Sequence, residues 1–219
     1  MARQKLPRFV HNAQSLNVIE RGKELYTTVK GKWREKYFGN TNPIVLELAC
    51  GKGEYTSGLA EVYPNKNFIG IDIKGDRIAR GSKRANDLGL ANVAFLRTPM
   101  VFLEEFFEEN EVDEIWLIHP DPQPRDKDER KRLTNARYLS LYKKILRPDG
   151  DFVFKTDNYP LFEYSSTTIP DAGFKIIKQT IDLHKSDLLA EHFGIETHYE
   201  KLFVAKGYKI NYLAAKSCK

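Results

Sequence analysis

Beyond Pro43 the sequence alternates short apolar runs with longer segments of helical period, and this alternation restricts the chain to a mostly parallel sheet with helices between its strands. The runs are Ile44–Leu48, Phe68–Asp72, Val93–Leu96, Glu114–Ile118 and Asp151–Lys155. Their nearly unbroken apolar content predicts strands covered by helices on both faces, an α/β fold. Helices are predicted over Glu54–Val62, Asp76–Leu88, Met100–Glu109 and Leu133–Leu146, the last stopped by Arg147-Pro148-Asp149-Gly150. A helix after Asp157, a strand near Phe174–Lys178 and a final strand over Tyr208–Leu213 complete the pattern. Thr197-His198-Tyr199-Glu200 has capping-box spacing, and Gly207 marks the stop of the helix that follows it. With no internal repeat or linker, residues 43–219 read as one domain. Residues 1–42 read as a basic, partly flexible extension, helical around Glu20–Lys30 and disordered at its start.

A chain of 219 residues, 41% of them hydrophobic, buries enough surface to be stable without disulfides or a structural metal. Cys50 and Cys218 lack both metal-ligand spacing and a disulfide framework, so no metal is expected and a reducing, cytoplasmic location is. No signal peptide or membrane-length apolar run is present. The formal charge of +5 is unevenly placed. Residues 1–42 carry nine bases, Arg3 and Lys5 among them, against three acids, whereas 102–114 is strongly acidic. The basic arm therefore predicts phosphate contacts with a nucleic acid.

Ala49-Cys50-Gly51-Lys52-Gly53 connects the first strand to a helix, a glycine-containing turn of the kind that lets a ligand approach the backbone. Asp72 ends the second strand nineteen residues beyond Gly53, near the spacing at which dinucleotide folds bind ribose hydroxyls; as a purely structural group it would cap the next helix. This pattern leaves NAD and S-adenosylmethionine both open. Glu47 favours the latter, because a carboxylate inside an apolar strand needs a cationic or N–H partner and would repel a pyrophosphate.

The fourth strand leads into His119-Pro120-Asp121-Pro122-Gln123-Pro124. The prolines stiffen this loop and hold Asp121 at the carboxyl end of the sheet, where open α/β folds bind ligands. Arg125, Lys127, Arg130, Lys131 and Arg132 follow, interspersed with three acids, as a candidate phosphate-binding run beside the site.

Glu47, Gly51-Lys52-Gly53, Gly70-Ile71-Asp72, Pro120-Asp121-Pro122 with its basic run, Lys155-Thr156-Asp157 and Thr197-x-x-Glu200 together resemble the TrmB-type tRNA (guanine-N7-)-methyltransferases over about residues 43–213. The resemblance implies a Rossmann-like class I fold and methylation, by S-adenosylmethionine, of N7 of a guanosine in the tRNA variable loop. It implies donor binding by Glu47, Gly51, Gly53, Asp72 and Asp121, with Asp121 the catalytic acid. It implies substrate contacts from Arg125, Lys127, Arg130, Lys131, Arg132, Asp157, Thr197 and Glu200. The sequence departs from the family at His119 and Gln123, where phenylalanine and tryptophan are common, at Lys127-Asp128 in place of an Arg-His pair, and around Thr98-Pro99, where an acid is often found.

Guanine N7 offers an in-plane lone pair and no proton, so the expected task is alignment and charge stabilisation by Asp121, Asp157 and Glu200, with no general base. Rival readings are an exocyclic amino methyltransferase, a non-catalytic RNA-binding subunit and, more distantly, a nicotinamide dehydrogenase. Monomer and homodimer are both compatible with the sequence.

Overall fold

The computed structural model describes residues 5–219; Arg3 and the expected disorder at the start of the arm fall outside them. Strands β1 (Val18–Ile19), β2 (Ile44–Leu48), β3 (Asn67–Asp72), β4 (Val93–Arg97), β5 (Val112–Ile118), β6 (Leu146–Thr156), β7 (Phe174–Thr180) and β8 (Asn211–Ser217) form one sheet. Its order is β1-β4-β3-β2-β5-β6-β8-β7. Strand β8 runs antiparallel to β6 and β7, and every other pairing is parallel. Because β3 and β5 lie on opposite sides of β2, the connections diverge at its carboxyl end and open a crevice there.

Helices α1 (Lys5–Gln14), α2 (Leu25–Thr28), α3 (Glu54–Val62), α4 (Gly75–Asp87), α5 (Ala136–Ile145), α6 (Tyr159–Asp171) and α7 (His198–Ala205) accompany the strands. Two apolar clusters cover the two faces of the sheet, one around Leu46, Ile69 and Ile115, the other around Val45, Phe68 and Trp116. Asn135, Asn158 and Thr197 cap α5, α6 and α7 by accepting backbone N–H bonds. No helix among the described residues is long and apolar enough to cross a membrane.

Three elements depart from the sequence pattern. Met100–Glu105 is a 3-10 helix and not an α-helix through Glu109. It ends where the N–H groups of Phe106 and Phe107 both return to the Leu103 carbonyl at 3.0 Å, and both rings are buried. Strand β6 continues back through Pro148-Asp149, accommodated by Asp149 at φ +56° and a shift of register against β5. The last strand is Asn211–Ser217, later than Tyr208–Leu213; Tyr208 stays exposed and its N–H bonds back to Phe203.

The basic arm is woven into the core. Helix α1 lies along α4, where Asn12 Nδ2 donates to the Gly75 carbonyl at 2.8 Å and His11 meets Ser82 at 2.9 Å. The Lys23 ammonium is taken up by the carbonyls of Asn12, Ser15 and Val18 at 2.7, 2.6 and 2.7 Å. Trp33 is fully buried, stacks on Phe107 and donates its indole N–H to the Phe106 carbonyl at 2.8 Å. Glu111 accepts the N–H groups of Gly31, Trp33 and Glu108. Arg34 pairs with Asp113 at 2.6 Å and Lys30 with Glu108 at 3.7 Å. The acidic segment is thus the arm's partner, so Lys23, Lys30 and Arg34 are not the available phosphate contacts that sequence charge suggests. Exposed Arg21, Lys32 and Lys36 remain outward.

Candidate active site

The turn after β2 is built on positive φ angles at Ala49 (+54°), Gly51 (+56°) and Gly53 (+63°). A Cβ at Gly53 would lie 2.5 Å from the Phe95 ring, so glycine is required there by packing as well as by conformation. At Gly51 a Cβ would meet nothing within 4 Å, because that face of the turn opens into the crevice.

Two cavities of about 340 and 280 Å³ occupy the crevice and share Ala49, Arg77, His119, Pro120 and Asp121 as walls. The larger reaches Glu47, Asp157 and Thr197, and the smaller reaches Asp72 and Thr98–Val101. Asp121 therefore stands where they meet. It is exposed and makes no hydrogen bond or ion pair among the described residues.

Glu47 is buried, with Oε2 accepting from the Thr56 N–H at 2.7 Å and from the Thr56 hydroxyl. Burial pushes its carboxyl up to about 8, against the lowering effect of the Thr56 bonds. Oε1 accepts no hydrogen bond among the described residues. Asp72 does not cap α4: one oxygen takes the Gly51 N–H at 3.0 Å and the other the Lys74 N–H at 2.8 Å, which ties the glycine turn to the end of β3.

On the acceptor side, Asp157 leaves the capping of α6 to Asn158 and bonds His119 Nδ1 at 3.0 Å. Thr197 caps α7, but Glu200 does not complete the box. Its carboxylate is buried and accepts from Lys155 Nζ at 2.6 Å and His184 Nε2 at 3.1 Å. Burial alone would raise the Glu200 pKa, but His119 and Lys155 outweigh it and hold the group below the usual carboxylate range. Glu200 thus lies behind the cavity wall, while Asp121, Asp157 and Thr197 line it. Lys155 also bonds Tyr55, whose hydroxyl meets His192 Nδ1 at 2.9 Å; burial drives the His192 pKa down to about 3.

The basic run follows the crevice, and its Lys131 borders the smaller cavity. Asp128 holds Arg125 at 2.5 Å and Lys131 at 2.7 Å, while Arg132 lies over the Tyr164 ring and donates to the Gln123 carbonyl. Lys127 and Arg130 project into solvent with no partner among the described residues. Sequence reasoning missed Arg77, which borders both cavities without a partner among the described residues, and the Lys155–Glu200 pair. The signal for the pair was present: Lys155, like Glu47, is a charge in an otherwise apolar strand. A separate groove of about 340 Å³ over Trp116, Val153 and Tyr212 is rimmed by paired charges, Lys66 with Glu114 and Lys178 with Glu191 among them.

A family model described as "Putative methyltransferase" matches residues 41–213. A tRNA (guanine-N(7)-)-methyltransferase from Cytophaga hutchinsonii is 46% identical, over 97% of this chain and 97% of the relative. One of the same name from Christiangramia forsetii is 44% identical, over 98% of both. The chain belongs to the tRNA (guanine-N7-)-methyltransferase family. Solved structures resemble it in fold: the 16S rRNA methyltransferase KamB has a TM-score of 0.66 at 16% identity, covering 84% of this chain and 92% of its own. A 16S rRNA adenine-N1 methyltransferase from Catenulisporales acidiphilia, solved with the cosubstrate SAM, has a TM-score of 0.61 at 12% identity, covering 86% and 91%. The fold of the family member described here is accordingly that of class I S-adenosylmethionine-dependent methyltransferases.

Proposed function

We propose that this chain transfers the methyl group of S-adenosylmethionine to N7 of a guanosine in the variable loop of tRNA. The observation that carries the reading is Asp121, a carboxylate without a partner among the described residues, where two cavities meet, beside a loop whose Lys127 and Arg130 likewise have none among them. The donor-side residues fit the methyl donor: the open face of Gly51, the free Oε1 of Glu47 and the remaining lone pairs of Asp72 suit a ligand bearing a sulfonium, an ammonium and ribose hydroxyls. S-Adenosylmethionine, when bound, supplies a methyl group on a positively charged sulfur.

Glu47 faces the cationic end of that ligand, Asp72 accepts from the ribose, and Gly51 gives the backbone room to approach, while Gly53, turned onto the Phe95 ring, keeps the turn in shape and does not itself face the ligand. Asp121 and Asp157 orient the guanine by its N–H groups, so that the N7 lone pair forms the new N–C bond as the C–S bond breaks. No proton moves. The imidazolium-like ring of the methylated base carries a full positive charge, which Asp121 offsets in the partly dehydrated crevice. Thr197 shapes the acceptor wall, while Glu200 supports it from behind. Lys127 and Arg130, with Arg125, Lys131 and Arg132, meet tRNA phosphates. The free thiols of Cys50 and Cys218 suit the reducing cytoplasm.

Labelled donor and bulk tRNA, followed by nucleoside analysis, test the reaction: label in 7-methylguanosine is expected, and label on an exocyclic nitrogen would overturn it. Asp121→Ala should lower kcat by roughly 100-fold or more. Asp121→Asn at full turnover would remove the charge-balancing role. Glu47 gives a pH signature. Its folded pKa lies above the ordinary carboxylate value, so its contribution to stability is complete below that value and is lost as pH rises through about 8. Glu47→Gln, which needs no proton uptake on folding, should therefore be no less stable than the wild type at pH 7 and gain on it as pH rises from the ordinary carboxylate value toward 8, yet weaken donor binding. Calorimetry at pH 7 should show proton release on donor binding, absent in the variant.

A further inference from the structure

We propose that His119 is a positioning residue that orients Asp157 against the buried Glu200–Lys155 pair and thereby sets how tightly this chain reads the guanine edge. The inference rests on the reading of Asp157 as a guanine contact. By the resemblance set out above, His119 takes the place of a phenylalanine, a ring without hydrogen-bonding capacity. Its φ of +46° belongs to the left-handed region that few non-glycine residues enter, and its N–H is held by the Lys155 carbonyl at 2.8 Å. That backbone turn accompanies an imidazole set between Asp157 and Glu200, its side chain only 7% exposed.

The ring has a different acid at each nitrogen. Nδ1 lies 3.0 Å from Asp157 Oδ1, and this is the only hydrogen bond to the Asp157 side chain among the described residues. Nε2 is buried without a hydrogen-bond partner and faces Glu200 Oε2 at 3.7 Å. Glu200 is in turn fixed by Lys155 and His184. A rigid ion pair, an imidazole and a partly exposed carboxylate thus form a chain from the protein interior to the cavity wall. An Asp157 carboxylate with no such bond would be free to rotate about χ1 and χ2, and a guanine contact depends on the orientation of its acceptor.

The alternative is that His119 merely fills space. The two roles separate in base discrimination, because inosine lacks the 2-amino group of guanosine. Methylation is measured on tRNA transcripts carrying guanosine or inosine at the target position, and the ratio of kcat/KM values is compared across variants, which cancels the difference in intrinsic N7 reactivity. His119→Phe restores the ring volume and removes the bond. It is expected to lower the guanosine preference roughly tenfold, to the level of Asp157→Ala, with no further fall in the double variant. His119→Asn, whose amide can occupy the place of Nδ1, should recover most of the preference. If His119→Phe does not fold, His119→Ala is read in its place.

An unchanged preference in His119→Phe beside a reduced one in Asp157→Ala overturns the positioning role, as does additivity in the double variant. An unchanged preference in Asp157→Ala also overturns it, by removing the guanine contact on which it rests. That outcome is distinguishable because the fault then shows at Asp157 itself, whatever His119→Phe does. In either case the nucleoside analysis still decides whether N7 is the methylated atom.

Discussion

The arm before residue 43 and the loop from Arg125 to Arg132 are both basic in sequence, yet the fold uses their charges in opposite ways. In the arm, Lys23 is surrounded by three backbone carbonyls, Arg34 and Lys30 pair with Asp113 and Glu108, and Trp33 fills the core. In the loop a single acid, Asp128, restrains Arg125 and Lys131, and Lys127 and Arg130 face solvent. Net charge counts the two regions alike. What separates them is whether a complementary group lies within reach, and the acidic segment 102–114 supplies it to Lys30 and Arg34 of the arm and not to the loop.

Four measurements would break or sharpen that contrast. The largest effect should come from Trp33→Ala, a cavity in the core worth about 3–5 kcal/mol, or roughly 10 °C in Tm. Donor affinity of the remaining folded protein should change little; a wild-type Tm would show that the arm is not part of the core. Next, reversing Lys127 and Arg130 to glutamate should weaken tRNA binding by about tenfold or more and flatten its dependence on salt, with Tm unchanged. An unchanged slope would take the loop out of the interface. Arg34→Ala should show the reverse profile: about 1 kcal/mol of stability from a partly exposed, well-formed pair and no change in the salt slope. The smallest effect should be at Asp128. Its contacts with Lys131 and Arg125 hold its pKa below the usual value, so they persist above the ordinary carboxylate range and are lost as pH falls through the lowered one. Asp128→Asn at neutral pH should free Arg125 and Lys131 and tighten tRNA binding a few-fold, and weaker binding would mean that Asp128 presents those cations correctly.

The same contrast shows how far the sequence was legible. Strand β2 and helix α3 fall where periodicity puts them, since local apolar content and the glycine turn dictate both. Glu47 and Asp72 were visible because a carboxylate in or at the end of a buried strand needs an explanation. The arm was not legible, because its partners lie about eighty residues away: Gly31 and Trp33 are held by Glu111, and Arg34 by Asp113. Nothing local marks Glu111 as a buried acceptor of three N–H groups. Glu200 was misleading for a related reason. Thr-x-x-Glu is a genuine capping pattern, but Lys155 competes for the carboxylate and wins, and that competition is invisible until β6 and α7 are brought together.

The two residues of β1 have a consequence for handling the protein. They close the hydrogen-bonding edge of β4, whose Val93–Leu96 are buried, and the Phe95 N–H is held by the Asn17 carbonyl at 2.7 Å. Removing residues 1–42 as though they were a dispensable tail would bare an apolar strand edge, the kind of surface that recruits strands from other molecules. The trimmed chain should aggregate, so the insolubility of a truncated enzyme would report an unpaired edge and say nothing about its affinity for tRNA.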